Sequence, residues 1–136
     1  MDRFTIDTNC LLMSIPSQSP YHRILTDFLC GRFKWCVSTE ILLEYEEILT
    51  KKMNHTIAVN IVNAILSNKN TIMVDPMYKF QLIKADPDDN KFVDCAIYSN
   101  AKCIVTEDNH FNILRQIDFP QVEVVDIDTF LQLLAI

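Results

Sequence analysis

The chain is poor in glycine, since Gly31 is the only glycine among its 136 residues. A loop that cradles phosphates needs several glycines at fixed spacing, so neither a dinucleotide-binding turn nor a Walker loop is possible. Basic charge is scarce as well, because 12 Lys and Arg stand against 18 Asp and Glu and leave a net charge of −6. Proteins that bind nucleic acid through their overall field are usually basic. Any nucleic-acid binding must therefore be local, with metal ions cancelling acidic charge or a basic partner covering the acidic face.

Long apolar runs and paired cysteines are missing too. No apolar run is long enough to span a bilayer, so we expect no membrane span. The cysteines are odd in number and none forms a C-x-x-C pair, which predicts small buried side chains in a reducing, cytoplasmic compartment. We expect no structural zinc site, because neither the cysteines nor His22, His55 and His110 have ligand spacing. The cysteines are Cys10, Cys30, Cys36, Cys95 and Cys103.

Short apolar strands alternate with helical patterns along a chain long enough for one globular domain, residues 1–136. Strands are predicted at 3–6, 35–37, 71–74, 103–106 and 122–125. Helices are predicted at about 21–30, 39–52, 55–67, 86–99, 110–115 and 127–134, with a loop at 14–20. This order implies a parallel sheet covered by helices on both faces. We therefore predict a three-layer α/β/α fold with a central, mostly parallel sheet.

Acidic residues stand where strands end and helices begin. Asp7 follows the strand at 3–6, Asp108 follows the strand at 103–106, and an acidic run opens the helix at 86–99. In an open parallel sheet, ligands bind outside the carboxyl ends of the strands. Each acid alone also fits a turn or a helix cap. Gathered together they suit Mg²⁺ or Mn²⁺, which prefer carboxylate and water oxygens, and they predict a metal-dependent hydrolase of phosphodiesters.

The helix at 39–52 contributes a further acid. Glu40 and Glu47 lie opposite its apolar stripe and are predicted to be solvated. Glu44 and Glu46 lie on opposite edges of that stripe, so helical periodicity selects these two and does not choose between them. The stripe consists of Ile41, Leu42, Tyr45, Ile48 and Leu49.

Other polar residues near the predicted site leave alternatives open. Three acids within four residues, Asp86, Asp88 and Asp89, exceed what capping one helix requires, and each is a candidate cation ligand. Asp94, deeper in the same helix, either extends the site or faces solvent, and the second alternative is favoured. Thr106 either orients a neighbouring carboxylate or a metal-bound water, or packs at the end of its strand.

Taken in order, four short motifs resemble those of the PIN-domain ribonucleases, including small single-domain proteins classed as toxins of toxin–antitoxin pairs. The likeness covers essentially the whole chain. It implies a PIN-like fold with site acids Asp7, Glu44, Asp89 and Asp108, and it makes Asn9 a candidate for positioning the Asp7 loop. The motifs are Ile6-Asp7-Thr8-Asn9-Cys10-Leu11-Leu12, Ser38-Thr39-Glu40-Ile41-Leu42-Leu43-Glu44-Tyr45, Asp86-Pro87-Asp88-Asp89-Asn90-Lys91-Phe92 followed by Ala96, and Val105-Thr106-Glu107-Asp108.

This resemblance implies an endoribonuclease that cleaves single-stranded RNA and requires Mg²⁺ or Mn²⁺. Asp7 and Asp89 would be primary metal ligands, while Glu44 and Asp108 would bind through water, complete a second metal or orient the nucleophile. A basic antitoxin protein and a second copy of the chain are the implied partners. The alternative is a catalytically weak domain that binds nucleic acid or protein. A haloacid-dehalogenase-like phosphatase is disfavoured, because it needs an aspartate where Asn9 stands.

Overall fold

Residues 1–135 are described by a computed structural model. Its strands are β1 Arg3–Ile6, β2 Lys34–Val37, β3 Thr71–Met73, β4 Cys103–Val105 and β5 Val124–Val125. Its α-helices are α1 Thr8–Ser14, α2 His22–Leu29, α3 Thr39–Lys52, α4 His55–Ser67, α5 Asn90–Ser99 and α6 Ile127–Leu134. Two 3₁₀ helices span Pro87–Asp89 and Asn109–Gln116. The predicted domain extends to Ile136, which lies outside the described residues, and its single-domain character stays a prediction.

All the strand pairs are parallel, in a five-stranded sheet of order β3-β2-β1-β4-β5. The chain builds outward from β1 through β2 to β3, then crosses back to place β4 on the other side of β1. Because the direction of winding reverses between β1 and β4, a crevice forms at the carboxyl ends of these two strands. The predicted α/β fold with a parallel sheet flanked by helices is confirmed.

An aromatic cluster in the core fixes the position of β1. The ring of Phe4 packs on Phe130 of α6 with centroids 4.7 Å apart, and Phe28 of α2 packs on Trp35 of β2 at 5.1 Å. Fully burying side chains of this size contributes about 1.5–3 kcal/mol each, so they are the main anchors of the sheet.

Tyr45 ties α3 to the carboxyl end of β1. Its hydroxyl, fully buried, donates a hydrogen bond to the backbone carbonyl of Ile6 and accepts one from the indole nitrogen of Trp35 at 3.2 Å. Ser38 starts this helix, with its hydroxyl accepting the N–H of Ile41 at 3.2 Å. The helix face that carries Glu44 is thereby set next to the residue that follows β1.

Several element boundaries differ from those predicted. Helix α1 was not predicted: it begins directly after β1 with Asp7 as its N-cap and leaves no turn residues to mark its start. The helix predicted from residue 86 begins as the 3₁₀ helix Pro87–Asp89, and the one predicted at 110–115 is the 3₁₀ helix Asn109–Gln116. The last strand is shorter than expected, at Val124–Val125.

The prediction that Asp94 faces solvent is wrong. The residue is 1% exposed, and its side chain accepts the backbone N–H of Phe80 at 3.2 Å. Asn90 and Tyr98, one turn before and after it on α5, also bond the backbone of the segment between β3 and the first 3₁₀ helix. This face of α5 therefore holds an irregular segment in place. Because an irregular segment has no periodic sequence pattern, its contact with Asp94 could not be predicted from the sequence. Burial raises the pKa of Asp94, partly offset by the bond from Phe80.

Four of the cysteines are buried as predicted, and Cys30 is exposed. Among residues 1–135, no helix combines the length and apolar character that crossing a membrane requires.

Candidate active site

Asp7 lies at the carboxyl end of β1 with both carboxylate oxygens held by hydrogen bonds. Its Oδ1 accepts the backbone N–H of Thr8 and its Oδ2 accepts the hydroxyl of Thr106, both at 2.7 Å. The pairing of β1 with β4 brings Thr106 there, because the N–H of Asp7 also bonds the carbonyl of Val105. Asp7 is buried, with 6% of the residue exposed. Burial is the largest cause that raises its pKa; the bonds from Thr106 and Thr8 lower it, and Glu44 and Asp108 raise it further.

Glu44 of α3 lies beside Asp7 and is also engaged at both oxygens. Its Oε2 accepts the hydroxyl of Thr8, and its Oε1 is 2.7 Å from the ammonium of Lys91. The Lys91 side chain is only 14% exposed, so this ion pair is screened less than a surface pair. Neither Thr8 nor Lys91 was singled out from the sequence, although both stand within the motifs that carry the family resemblance.

Asp89 and Asp108 approach the crevice from the two 3₁₀ helices. Asp108 is the N-cap of the second, accepting the N–H of His110 at 2.9 Å. The His110 ring carries Nδ1 to 3.4 Å from Oδ1 of Asp108 and 3.6 Å from Oδ2 of Asp89. Asp86, the N-cap of the first 3₁₀ helix, joins this group, because Asp86, Asp89 and His110 each place one ligand atom within 4.8 Å of the others.

One oxygen of Asp89 is left without a partner. Its Oδ2 is buried and accepts no hydrogen bond from any described residue. Burial, the largest cause, together with the charges of Asp108, Asp86 and Asp7, raises the pKa of Asp89 to about 7, while His110 lowers it. A buried, unpaired carboxylate oxygen surrounded by like charge is costly. A divalent cation relieves both costs, so the residues present fit an Mg²⁺ or Mn²⁺ ion.

The four predicted site acids, from segments far apart in the chain, thus lie around one crevice. Asn9 is exposed on the first turn of α1, and it is the side chain of its neighbour Thr8 that contacts Glu44. The alternatives for the third ligand separate: Asp88 is exposed, whereas Asp86 is half-buried at the cation group. The catalytic roles of the four acids remain a prediction. They are Asp7, Glu44, Asp89 and Asp108.

A groove of about 840 Å³ runs beside Glu44, between α3, the segment before the first 3₁₀ helix and the start of α5. Its charged lining is balanced. Lys79 is paired with Glu40 at 2.8 Å, Lys91 reaches it from the site, and Asp94 lies at its wall. A ligand in this groove would therefore meet charges of both signs and not a uniform positive surface.

Comparison with known proteins agrees with this geometry. A family model described as "PIN domain" matches residues 3–110. The fold is similar to a chain of VapBC2 from Rickettsia felis, solved bound to a DNA fragment from its promoter, with a TM-score of 0.63 and 16% identity, covering 91% of this chain and 98% of that one. It is also similar to a chain of DNA-bound VapBC from Salmonella typhimurium, with a TM-score of 0.57 and 19% identity, covering 93% and 99%. No curated protein matches the chain.

Proposed function

Because this chain belongs to the PIN-domain family, we propose that it is a divalent-metal-dependent endoribonuclease that cleaves single-stranded RNA. PIN domains are generally nucleases, so hydrolysis of a phosphodiester is the reaction to expect of the family. The observation that carries the proposal is the meeting of Asp7, Glu44, Asp89 and Asp108 at the crevice between β1 and β4. Separate capping roles would explain each acid singly. They would not explain why the charges of Glu44 and Asp108 raise the pKa of Asp7, or why those of Asp108 and Asp7 raise the pKa of Asp89.

In this proposal Asp7 and Asp89 hold the ion directly, while Glu44 and Asp108 bind it through water or complete a second ion. When bound, Mg²⁺ or Mn²⁺ lowers the pKa of a coordinated water and stabilises charge on the scissile phosphate. The chain itself supplies orientation. The hydroxyl of Thr106 donates to one oxygen of Asp7, which fixes the orientation of the Asp7 carboxylate toward the crevice.

A single strand fits the surroundings of the site. The groove beside Glu44 combines apolar surface with three lysines, Lys79, Lys84 and Lys91, which supply local positive charge in a chain whose net charge is −6. A duplex that depends on the overall field would be repelled by this chain. Local contacts along one strand do not require a basic protein.

We further propose that the chain is the toxin of a toxin–antitoxin pair that acts in the cytoplasm. The two similar structures are VapBC assemblies bound to DNA, which supports a partner protein here. A basic antitoxin would complement the net charge of −6. The family resemblance also favours a homodimer, and light scattering on the purified chain, alone and with the product of an adjacent gene, measures both associations.

The test of the nuclease proposal is cleavage of a fluorophore–quencher single-stranded RNA in Mn²⁺, with EDTA as the blank. Asp7→Asn should lower the rate at least about 10³-fold, because it removes one anionic ligand from a group that acts as a unit. Its melting temperature should be unchanged or higher, since burial and neighbouring acids disfavour the charged form of Asp7.

Asp27→Asn is the matched control, because Asp27 is also a buried carboxylate, 7% exposed, but pairs with Arg23 and Arg32 away from the crevice. This variant should lose stability and keep the cleavage rate of its remaining folded fraction. Equal cleavage by Asp7→Asn and the parent would show that the proposed site is wrong.

A binding module without turnover is the second candidate, and one contact favours it. Lys91 occupies an oxygen of Glu44 that a cation would need. Such a module would bind RNA or protein with no carboxylate-dependent uptake of Mn²⁺. Calorimetric titration with Mn²⁺ and single-turnover cleavage on one preparation separate the two candidates.

A further inference from the structure

We infer that His110 joins Asp86 and Asp89 in a mixed nitrogen and oxygen site for a divalent transition-metal ion. This inference rests on the proposed function, because it adds ligands to the same metal centre. It changes the chemistry of that centre, since an imidazole nitrogen favours transition ions over Mg²⁺, whereas four carboxylates alone do not.

The spacing of the ligand atoms supports an ion between them. Nδ1 of His110 lies 3.6 Å from Oδ2 of Asp89, which is longer than a hydrogen bond. Bonds of about 2.1 Å to one octahedral ion place neighbouring ligands roughly 3 Å apart and opposite ligands roughly 4.2 Å apart. The ligand atoms of Asp86, Asp89 and His110 all lie within 4.8 Å of one another, which is close to that range.

The buried oxygen of Asp89 is the second observation. Oδ2, the same atom that faces His110, has no hydrogen-bond partner among residues 1–135. Buried polar atoms in native proteins nearly always have a partner, so an orphan oxygen 3.6 Å from the ring nitrogen of His110 indicates a missing one.

The backbone holds the imidazole in this position. Asp108 accepts the N–H of His110 at 2.9 Å and so fixes the first turn of the 3₁₀ helix that carries the ring. The ring is 46% exposed, which leaves one side open to solvent and lets an ion enter without unfolding the segment. A substitution of His110 should therefore be tolerated by the fold.

The direct test is pulsed electron paramagnetic resonance on the full chain loaded with Mn²⁺. The parent should show coupling between the Mn²⁺ electron spin and nitrogen, and the coupling should change when histidine alone is labelled with ¹⁵N. His110→Gln should lose it. His55→Gln is the control and should keep it, because His55 is exposed at the start of α4. The remaining histidine, His22, is bonded through Nδ1 to the carbonyl of Ser14 at 2.8 Å.

Calorimetry gives a second readout that requires no catalysis. His110→Gln should weaken Co²⁺ binding about tenfold or more and Mg²⁺ binding by less than about twofold, because only the transition ion gains from the nitrogen ligand. Mn²⁺ binding without histidine-nitrogen coupling in the parent would overturn this inference and leave the nuclease proposal standing. Coupling that persists in His110→Gln would overturn it as well. A parent that binds no Mn²⁺ at all would overturn both.

Discussion

The two halves of the acidic crevice differ in how many of their carboxylate oxygens have a hydrogen-bond or ion-pair partner within the protein. In the first half, Asp7 and Glu44 have both of their carboxylate oxygens engaged by side chains or backbone. In the second half, Asp89 keeps a buried oxygen without a partner in the described chain, and its pKa rises to about 7. The protein alone thus arranges the first half, while the second half would be completed by a cation.

The elements that carry each half explain this difference. Asp7 and Glu44 stand at the end of a central strand and on a long helix that Tyr45 anchors to that strand. Asp89 and Asp108 stand at the ends of 3₁₀ helices, whose backbone positions are set by caps. Sites built on strands and long helices are held more precisely than sites on short or irregular segments. Substitutions in one half, or at the contact between the halves, test this difference.

After Asp7→Asn, the largest effect is expected from Glu44→Gln, also in the first half. This change keeps the size of the side chain and removes a charge that holds metal or orients water, so cleavage should fall about 10²-fold, or about 2.7 kcal/mol of barrier. Glu46→Gln on the same helix should change the rate by less than about threefold, within the scatter of surface substitutions. Cleavage of quenched RNA in Mn²⁺ measures both.

A large loss for Glu46→Gln with none for Glu44→Gln would reverse the placement of this helix in the site. Equal losses would show that charge on α3 acts through the general field and not through the contacts of Glu44 with Thr8 and Lys91.

The first half was also the more predictable from sequence. Asp7 follows an apolar strand, and helical periodicity narrowed the acid on α3 to two positions, because both signals are local. The family resemblance then selected Glu44. The ion pair with Lys91 spans 47 residues and the contact of Thr106 with Asp7 spans 99, and no local pattern specifies such pairs.

The second half was less predictable for the same physical reason. His110 has no ligand spacing to another histidine or cysteine, so nothing in the sequence marked it as a ligand. Asp94 was misjudged because its helix face is covered by an irregular segment and not by a regular element. Helix α1 was not predicted because its N-cap, Asp7, directly follows the predicted strand, so no separate turn residue marks the start of the helix.

Thr106 joins the two halves, and Thr106→Val should have the next largest effect. The hydroxyl donates to Asp7 at 2.7 Å and accepts the backbone N–H of Asp108 at 3.0 Å. Valine keeps the shape and removes both bonds, so cleavage should fall about tenfold, or about 1.4 kcal/mol. Thr106→Ser, which keeps the hydroxyl, should stay within about threefold of the parent. If valine and serine behave alike, the hydroxyl does not orient Asp7.

The second half should make the stability of the metal-free protein depend on pH. Asp89 has its pKa raised from 3.8 to about 7 in the folded chain, so between these values the folded state binds a proton that the unfolded state does not. Stability in EDTA should therefore rise as pH falls from 8 to 6, by on the order of 1 kcal/mol. Millimolar Mn²⁺ should stabilise the protein most at pH 8, where the carboxylate is free to bind it.

Asp89→Asn should flatten this dependence, and Asp27→Asn should not, because Asp27 lies outside the crevice. Melting curves at pH 6, 7 and 8 measure the effect. A parent that loses stability on going from pH 8 to pH 6 would contradict the raised pKa of Asp89.

The smallest effect is expected from Lys91→Gln. This variant tests whether the ion pair of Lys91 with Glu44 weakens metal binding in the first half. The ammonium of Lys91 lies 2.7 Å from Glu44 and competes there with any cation. Removing it leaves Glu44 with the bond from Thr8 alone, so Mn²⁺ should bind about threefold more tightly, or about 0.7 kcal/mol. Lys102→Gln is the control, because Lys102 pairs with Asp2 at 3.2 Å on the exposed surface and should leave the affinity unchanged. Calorimetry at fixed salt measures both variants. Weaker binding by Lys91→Gln would show instead that Lys91 holds Glu44 in the orientation that a metal ion requires, so that the ion pair prepares the first half for the cation and does not oppose it.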